Sequence, residues 1–207
     1  MVVLTLQSSR LGGAIILAGG DSSRLGYPKY LLELNGVTLI EILVRRLSPL
    51  FEEITAVTDR EDLFADLPVK LTGDLLTGYG KSPLRGIHAG LSVSGRPFQF
   101  VVACDMPFVN LDLIRYMARF APQYDAVVPL SNNRYQPLHA FYNRSSLDSM
   151  KEFIEQGHRK IIDYYDKIKM RPIGYPEIAR FDPGQRSFFN VNTWEDYHRA
   201  QRLLPGR

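Results

Sequence analysis

From residue 14 to about residue 130, short apolar runs alternate with segments whose apolar residues fall at helical spacing. A chain with that rhythm lines its strands up in a sheet and covers both faces with the intervening helices. Ala14 to Ala18 is an apolar run that ends in Gly19-Gly20, which reads as a buried strand entering a glycine-rich loop. Leu39, Ile42, Leu43 and Leu47 predict a helix within residues 38–50, and Ile54 to Thr58 and Val69 to Thr72 predict strands. A helix is expected over Leu84 to Val93. Phe98 to Ala103 is the clearest central strand and runs directly into Cys104-Asp105. Leu111 to Ala121 reads as a helix capped by Asn110 or Asp112, and Ala126 to Leu130 as a further strand.

The remainder is less regular. Leu138 to Tyr142 and Ile168 to Ile173 read as strands, and Ser145 to Gln156 as a helix closed by Gly157, with a further turn or helix over Ile161 to Tyr165. Thr193, followed three residues later by Asp196, predicts the capping box of a terminal helix reaching Leu204. The expected fold is therefore α/β, three-layered, with a Rossmann-like and mainly parallel sheet. It forms one domain over residues 1–207 with a loose lead-in at 1–13. In such sheets ligands collect at the carboxyl ends of the strands. Both Gly19-Gly20 and Asp105 follow predicted strands at that edge.

Composition narrows the function classes. The charge is only +3 on 207 residues, and Lys and Arg are scattered, so nucleic acid is not an expected partner. No stretch approaches the roughly 20 apolar residues of a membrane helix, and the N-terminus lacks the layout of a signal peptide. A single cysteine, Cys104, forbids an intramolecular disulfide and suits a cytoplasmic address. The four histidines form no metal-ligand pattern.

The loop after the first strand reads Leu17-Ala18-Gly19-Gly20-Asp21-Ser22-Ser23-Arg24-Leu25-Gly26-Tyr27-Pro28-Lys29. It is neither a G-x-G-x-x-G dinucleotide fingerprint nor a Walker A loop. Its glycines still let backbone N–H groups approach an anion, and Arg24 and Lys29 offer charge to a triphosphate. Glycine content alone equally suits a tight turn with solvated charges. A carboxylate at Asp105, ending the most apolar strand, is costly unless it meets a cation, and Mg²⁺ takes such oxygen ligands. The alternative is that Asp105 caps the turn that follows. Asp74 and Gly86 have equally plain readings, as a loop residue and as a close helix contact.

Taken as a string, Leu-Ala-Gly-Gly-x-Ser-x-Arg-x-Gly-x-x-Lys after a buried strand resembles the signature loop of nucleotidyltransferases with a nucleotide-diphospho-sugar transferase-like fold. Gly19-Gly20 resembles the molybdenum cofactor guanylyltransferases, the MobA family. Leu25 stands where Met is usual there, and Pro28 where Asp is usual. Further segments follow in the family's order: Asp74 with Ser82-Pro83-Leu84-Arg85-Gly86, Cys104-Asp105-Met106-Pro107-Phe108, Pro137-Leu138 with Tyr142, Gly157-His158-Arg159, and Phe189-Asn190-Val191-Asn192-Thr193-Trp194-Glu195-Asp196. Ser82 replaces the usual Gly, Trp194 the usual Pro, and Thr58-Asp59 a usual Asn.

The resemblance implies Mg²⁺-dependent transfer of GMP from GTP to molybdopterin, with molybdoenzymes or cofactor-delivery proteins as further partners. It assigns nucleotide binding to Leu17, Ala18, Gly19, Gly20, Lys29, Asp74 and Asp105, catalysis to Lys29, Arg24 and Asp105, and the metal to Asp105. Asn190, Asn192 and Arg159 are assigned to the acceptor. A CTP-dependent or sugar-phosphate enzyme of the same chemistry, and a non-catalytic cofactor-binding adaptor, remain open at this point.

Overall fold

The computed structural model describes residues 10–19 and 26–204. In chain order the strands and α-helices are β1 (Leu11–Leu17), β2 (Glu33–Leu34), β3 (Val37–Thr38), α1 (Leu39–Leu47), β4 (Phe51–Val57), β5 (Lys70–Thr72), α2 (Pro83–Val93), β6 (Phe98–Ala103), α3 (Leu111–Ala118), β7 (Ala126–Ser131), β8 (Arg134–Tyr135), β9 (His139–Asn143), α4 (Leu147–Glu155), α5 (Ile161–Tyr164), β10 (Met170–Ile173), α6 (Tyr175–Ile178) and α7 (Trp194–Leu203). The first strand starts at Leu11, so residues 11–13 of the expected lead-in are strand; residues 1–9 lie outside the described residues.

The main sheet has the order β10–β7–β9–β6–β1–β4–β5, with β8 hairpinned onto β7. The pairs β1–β4, β1–β6, β4–β5 and β7–β10 are parallel, whereas β9 runs antiparallel to both β6 and β7. Alternation along the strands divides the core into two layers. Ala14, Ile16, Phe100, Val102 and Phe141 face α1 and α3, meeting Leu43, Leu47, Leu113 and Met117. Ile15, Leu17, Val101 and Tyr142 face α2, α4 and α5, meeting Ile87, Leu91, Met150, Phe153 and Tyr164. Each such aliphatic side chain, fully buried, contributes about 1.5–3 kcal/mol, so the sheet is fixed from both faces. A smaller cluster of Leu34, Leu39, Val191 and Ala200 seats α7 on the β2–β3 hairpin.

Local sequence sets the element ends. Thr38 and Glu41 form a reciprocal capping box at α1, and Thr193 and Asp196 do the same at α7, as the sequence predicts. Asn110 caps α3 by accepting from the backbone of Asp112 and Leu113. Two tight hairpins escape the sequence reading. Asn35-Gly36 joins β2 to β3 and Asn132-Asn133 joins β7 to β8, and all four residues have positive φ, as the twist of a two-residue hairpin requires.

Candidate active site

The chain lays β4 and β5 on one side of β1 and then returns to lay β6 on the other. Connections leave β1 and its neighbours in opposite directions there, and a crevice opens beyond the carboxyl ends of these strands. A cavity of about 420 Å³ occupies that crevice. Its walls are the ends of β1 (Leu17, Ala18, Gly19), β4 (Val57, Thr58, Asp59) and β6 (Ala103, Cys104, Asp105), joined by Lys29, Asp74 and residues 81–83. Backbone bonds from Ala18 to Val57 (2.9 Å) and from Cys104 to Leu17 (3.0 Å) hold the three strand ends together past the regular ladder.

At one end of the cavity the Lys29 ammonium donates to Asp105 Oδ2 at 2.8 Å and also to Asn192 Oδ1. Lys29 opens a short 3-10 turn whose next residue, Tyr30, packs edge-on against Phe64 at 5.1 Å, fixing the approach of the lysine. The segment bearing the asparagines is tied to the same place, because Val191 N–H donates to the Asp105 carbonyl at 2.9 Å. Val191 is buried in the small core, while Asn192 reaches Lys29 and Asn190 lines the cavity. Asn190 and Asn192 are therefore both brought to the cavity by a segment that is not a sheet strand.

Asp105 Oδ1 is buried and has no hydrogen-bond partner among the described residues. A carboxylate oxygen in that position fits a hard cation with oxygen preference. Among the described residues no group of three or more His, Cys, Asp or Glu side chains could enclose a metal. Such a cation would thus depend on Asp105 and on oxygens brought by a substrate. Burial, reinforced by the Asp105 charge, pushes the Cys104 thiol far up, so Cys104 is a neutral wall residue and not a nucleophile.

The other end of the cavity is formed by Thr58, Asp59, Asp74, Lys81, Ser82, Pro83 and Gly86. Ser82, standing where the resemblance expects Gly, caps α2 by accepting from Arg85 N–H, and Pro83 occupies the first turn. Arg85 then reaches back to Asp74 (3.2 Å) and to the Gly80 carbonyl (2.7 Å), so the loop over residues 74–80 is anchored to the helix that follows it. Loss of solvent raises the Asp74 carboxyl above its ordinary value, against the pull of Arg85. Lys81 pairs with Asp59 at 3.0 Å.

The residues predicted from sequence are thus largely gathered: Leu17, Ala18, Gly19, Lys29, Asp74, Asp105 and Asn190 line one cavity, and Asn192 touches Lys29. Gly20 and Arg24 lie outside the described residues. Arg159 does not line the cavity; its guanidinium lies 2.8 Å from where a Cβ on Gly80 would stand. The loop before α5 sets Arg159 beside Gly80, a closeness that sequence order could not reveal. Lys81, Tyr30 and Arg85 were not singled out. Their parts depend on contacts across the loop, apart from the cap at Ser82-Pro83, which is a readable signal.

A crevice at the switch point, holding charge for phosphates at one end and hydrogen-bonding groups for a nucleoside at the other, defines a nucleotide-handling enzyme of the nucleotidyltransferase class. The family model for the MobA-like NTP transferase domain matches residues 14–168, and the chain belongs to that family. A protein of Peptoclostridium acidaminophilum named "Probable molybdenum cofactor guanylyltransferase" is 40% identical over 199 residues, covering 93% of this chain and 89% of that protein. The molybdenum cofactor guanylyltransferase of Syntrophotalea carbinolica is 31% identical over 199 residues, covering 95% and 94%. Among solved structures, molybdopterin-guanine dinucleotide biosynthesis protein A from Archaeoglobus fulgidus superposes with a TM-score of 0.82 at 29% identity, covering 92% of this chain and 97% of that one. No helix among the described residues is long and apolar enough to cross a membrane.

Proposed function

We propose that this chain transfers GMP from GTP to molybdopterin in the cytoplasm, yielding molybdopterin guanine dinucleotide and pyrophosphate, with residues 1–207 acting as one domain. The observation that carries the reading is the Lys29–Asp105 pair facing the cavity, with the second Asp105 oxygen left without a partner among the described residues. The names of the relatives supply the base and the acceptor.

In this reaction an oxygen of the acceptor's phosphomonoester attacks the α-phosphorus. The new O–P bond forms as the bond to the β-phosphate oxygen breaks, and that oxygen leaves with pyrophosphate. The protein's part is positioning and charge neutralisation, not covalent chemistry. Lys29 turns from Asp105 and Asn192 toward the triphosphate, and Arg24 serves the same phosphates. Asn192 and Asn190 orient the attacking group. Asp105 would hold Mg²⁺, which supplies neutralisation of charge on the phosphate oxygens. The carboxylates of Asp59 and Asp74 suit the N1–H and 2-amino donors of guanine, and Leu17 and Pro83 offer apolar walls to the base.

The test is Asp105→Ala. Turnover, read as Mg²⁺-dependent pyrophosphate release with GTP and molybdopterin, is expected to fall by at least about 10²-fold, the usual scale for losing a group that stabilises transition-state charge. Circular dichroism and the melting temperature should stay near those of the wild type. Undiminished turnover by the folded variant overturns the assignment.

A further inference from the structure

Arg85 stands in the first turn of α2, where the helix dipole opposes a cation. Its side chain is only 7% exposed, and burying a guanidinium is costly unless it is paired. Both effects favour an apolar residue at this position, like the neighbouring Leu84 and Ile87, which are fully buried. The helix end does not need the arginine either, because the Ser82 cap is made to the backbone N–H of residue 85 and any residue there supplies it. Departures from local preference of this kind gather at functional sites.

The side chain serves the loop before the helix. One terminal nitrogen lies 3.2 Å from Asp74 Oδ2, and the other donates to the Gly80 carbonyl at 2.7 Å. One rigid planar group thus holds both ends of the 74–80 loop. Nε is buried without a hydrogen-bond partner among the described residues, so the hold rests on those two contacts. Gly78 and Gly80 have φ of 96° and 71°, which sets the path of the loop back toward the helix. Asp74 lines the cavity and Arg85 does not, so the arginine acts on the cavity through its partner.

The charges that face Asp74 come from each element around it: Arg85 and His88 from α2, Lys81 from the loop before α2, and Asp59 from the end of β4. Arg159 lies beside Gly80, at the far end of the loop. Loss of solvent raises the Asp74 carboxyl most, and Arg85 opposes that rise more strongly than any other neighbour; Asp59 adds to it, and Lys81 and His88 oppose it further. The Lys81–Asp59 pair is largely exposed and therefore screened by water. Arg85 is the buried cation of the group.

We propose that Arg85 is a positioning residue of the nucleotide site, aiming the Asp74 carboxylate into the cavity as an acceptor for the nucleoside and pinning the loop that carries it. The proposal rests on the nucleotidyl-transfer reading, in which Asp74 accepts from the base. An adjacent guanidinium also favours the ionised carboxylate, the form that only accepts hydrogen bonds.

The test compares Arg85→Met, Arg85→Gln and Arg85→Lys with the wild type. Asp74 keeps contact with water, so Arg85→Met leaves no fully buried charge behind and is expected to fold. Calorimetric titration with GTP and Mg²⁺, without acceptor, should give a Kd raised at least about tenfold at about pH 7.5, the scale of one hydrogen bond to a charged group. The ratio to wild type should grow as pH falls toward about 5.5, because loss of the guanidinium raises the Asp74 pKa and a protonated carboxyl serves the base less well. The nucleotide's own titration is common to both proteins and leaves that ratio unchanged. Arg85→Lys keeps the charge and should restore the wild-type pH dependence; Arg85→Gln keeps a donor for Gly80 without the charge and should not. In turnover the GTP KM should rise more than kcat falls. A Kd and pH dependence like the wild type's in folded Arg85→Met overturn the proposal. So does a loss of affinity that is uniform in pH and equal in all three variants, which marks a part in folding alone. A wild type that binds no GTP overturns both the proposal and the transfer reading. Binding of GTP that depends on Arg85 in this way, with no pyrophosphate released when molybdopterin is added, supports the proposal and defeats the transfer reading.

Discussion

Both ring nitrogens of His139 are buried without a hydrogen-bond partner among the described residues, and the ring sits edge-on between Phe100 (4.9 Å) and Phe188 (5.2 Å). Burial pushes its pKa down to about 3, with Asp182 opposing only in part. The unfolded chain gains a proton near pH 6.5 while the folded one stays neutral, so the unfolded state binds more protons between about pH 6.5 and about pH 3. Stability contributed by this residue is therefore complete above that window and is lost as pH falls through it, by up to about 1.4 kcal/mol per pH unit. Burial shifts His88 the same way. His139→Leu, which removes the titrating ring at similar volume, should flatten the acid limb of a stability-against-pH curve and leave neutral-pH stability equal or higher. An acid limb as steep as the wild type's would show that other groups set it. Residue by residue, Lys29 and Asp105 were legible through the resemblance of the strings that carry them, since position after a strand alone left a tight turn and a cap as equal readings. Asn192 was legible as a site residue but not as a partner of Lys29, since that contact bridges 163 positions of chain.

Among the elements, α2 depends on its closeness to β1. A Cβ on Gly90 would stand 2.7 Å from the side chain of Ile15, which is fully buried and β-branched and so has little room to yield. Overpacking of this kind costs about 1–3 kcal/mol, against about 1 kcal/mol that Ala gains over Gly in a helix. Gly90→Ala should accordingly lower the melting temperature by a few degrees, measured by calorimetry; a rise would mean that the helix can lift from the sheet without loss. The glycine was visible in the sequence, but its contact was not, because periodicity fixes which face is apolar and not how near the facing element lies. The hairpin at Asn35-Gly36 carried a recognisable turn signal and was overlooked beside the stronger helical spacing that follows. The reversed direction of β9 was also within reach. Residues 132–138 separate β7 from β9, too few for the dozen or more that a parallel crossover needs.

For the molecule as a whole, the reading requires that nucleotide and fold stabilise one another. A ligand at about 100 times its Kd adds about 2.7 kcal/mol to the folded state, so GTP with Mg²⁺ should raise the melting temperature measurably. ITP, which lacks the 2-amino donor that the proposed reading sets against Asp59 and Asp74, should raise it less, and CTP least, because a site built around hydrogen bonds rejects a base that leaves them unmade. A response to CTP as large as that to GTP would remove guanine from the account. At this scale the strand–helix alternation already announced the layered sheet and the edge where ligands gather. The partition of that edge was hidden, since it arises from one strand entering against the rest. Leu138, one residue before β9, lines the nucleotide cleft, and Gln136, two residues earlier, lines a second hollow beyond β7. A watershed of this kind lets the two basins change independently: substitutions around residues 131–136 and 184–189 alter the second hollow and leave every residue that lines the nucleotide cleft in place.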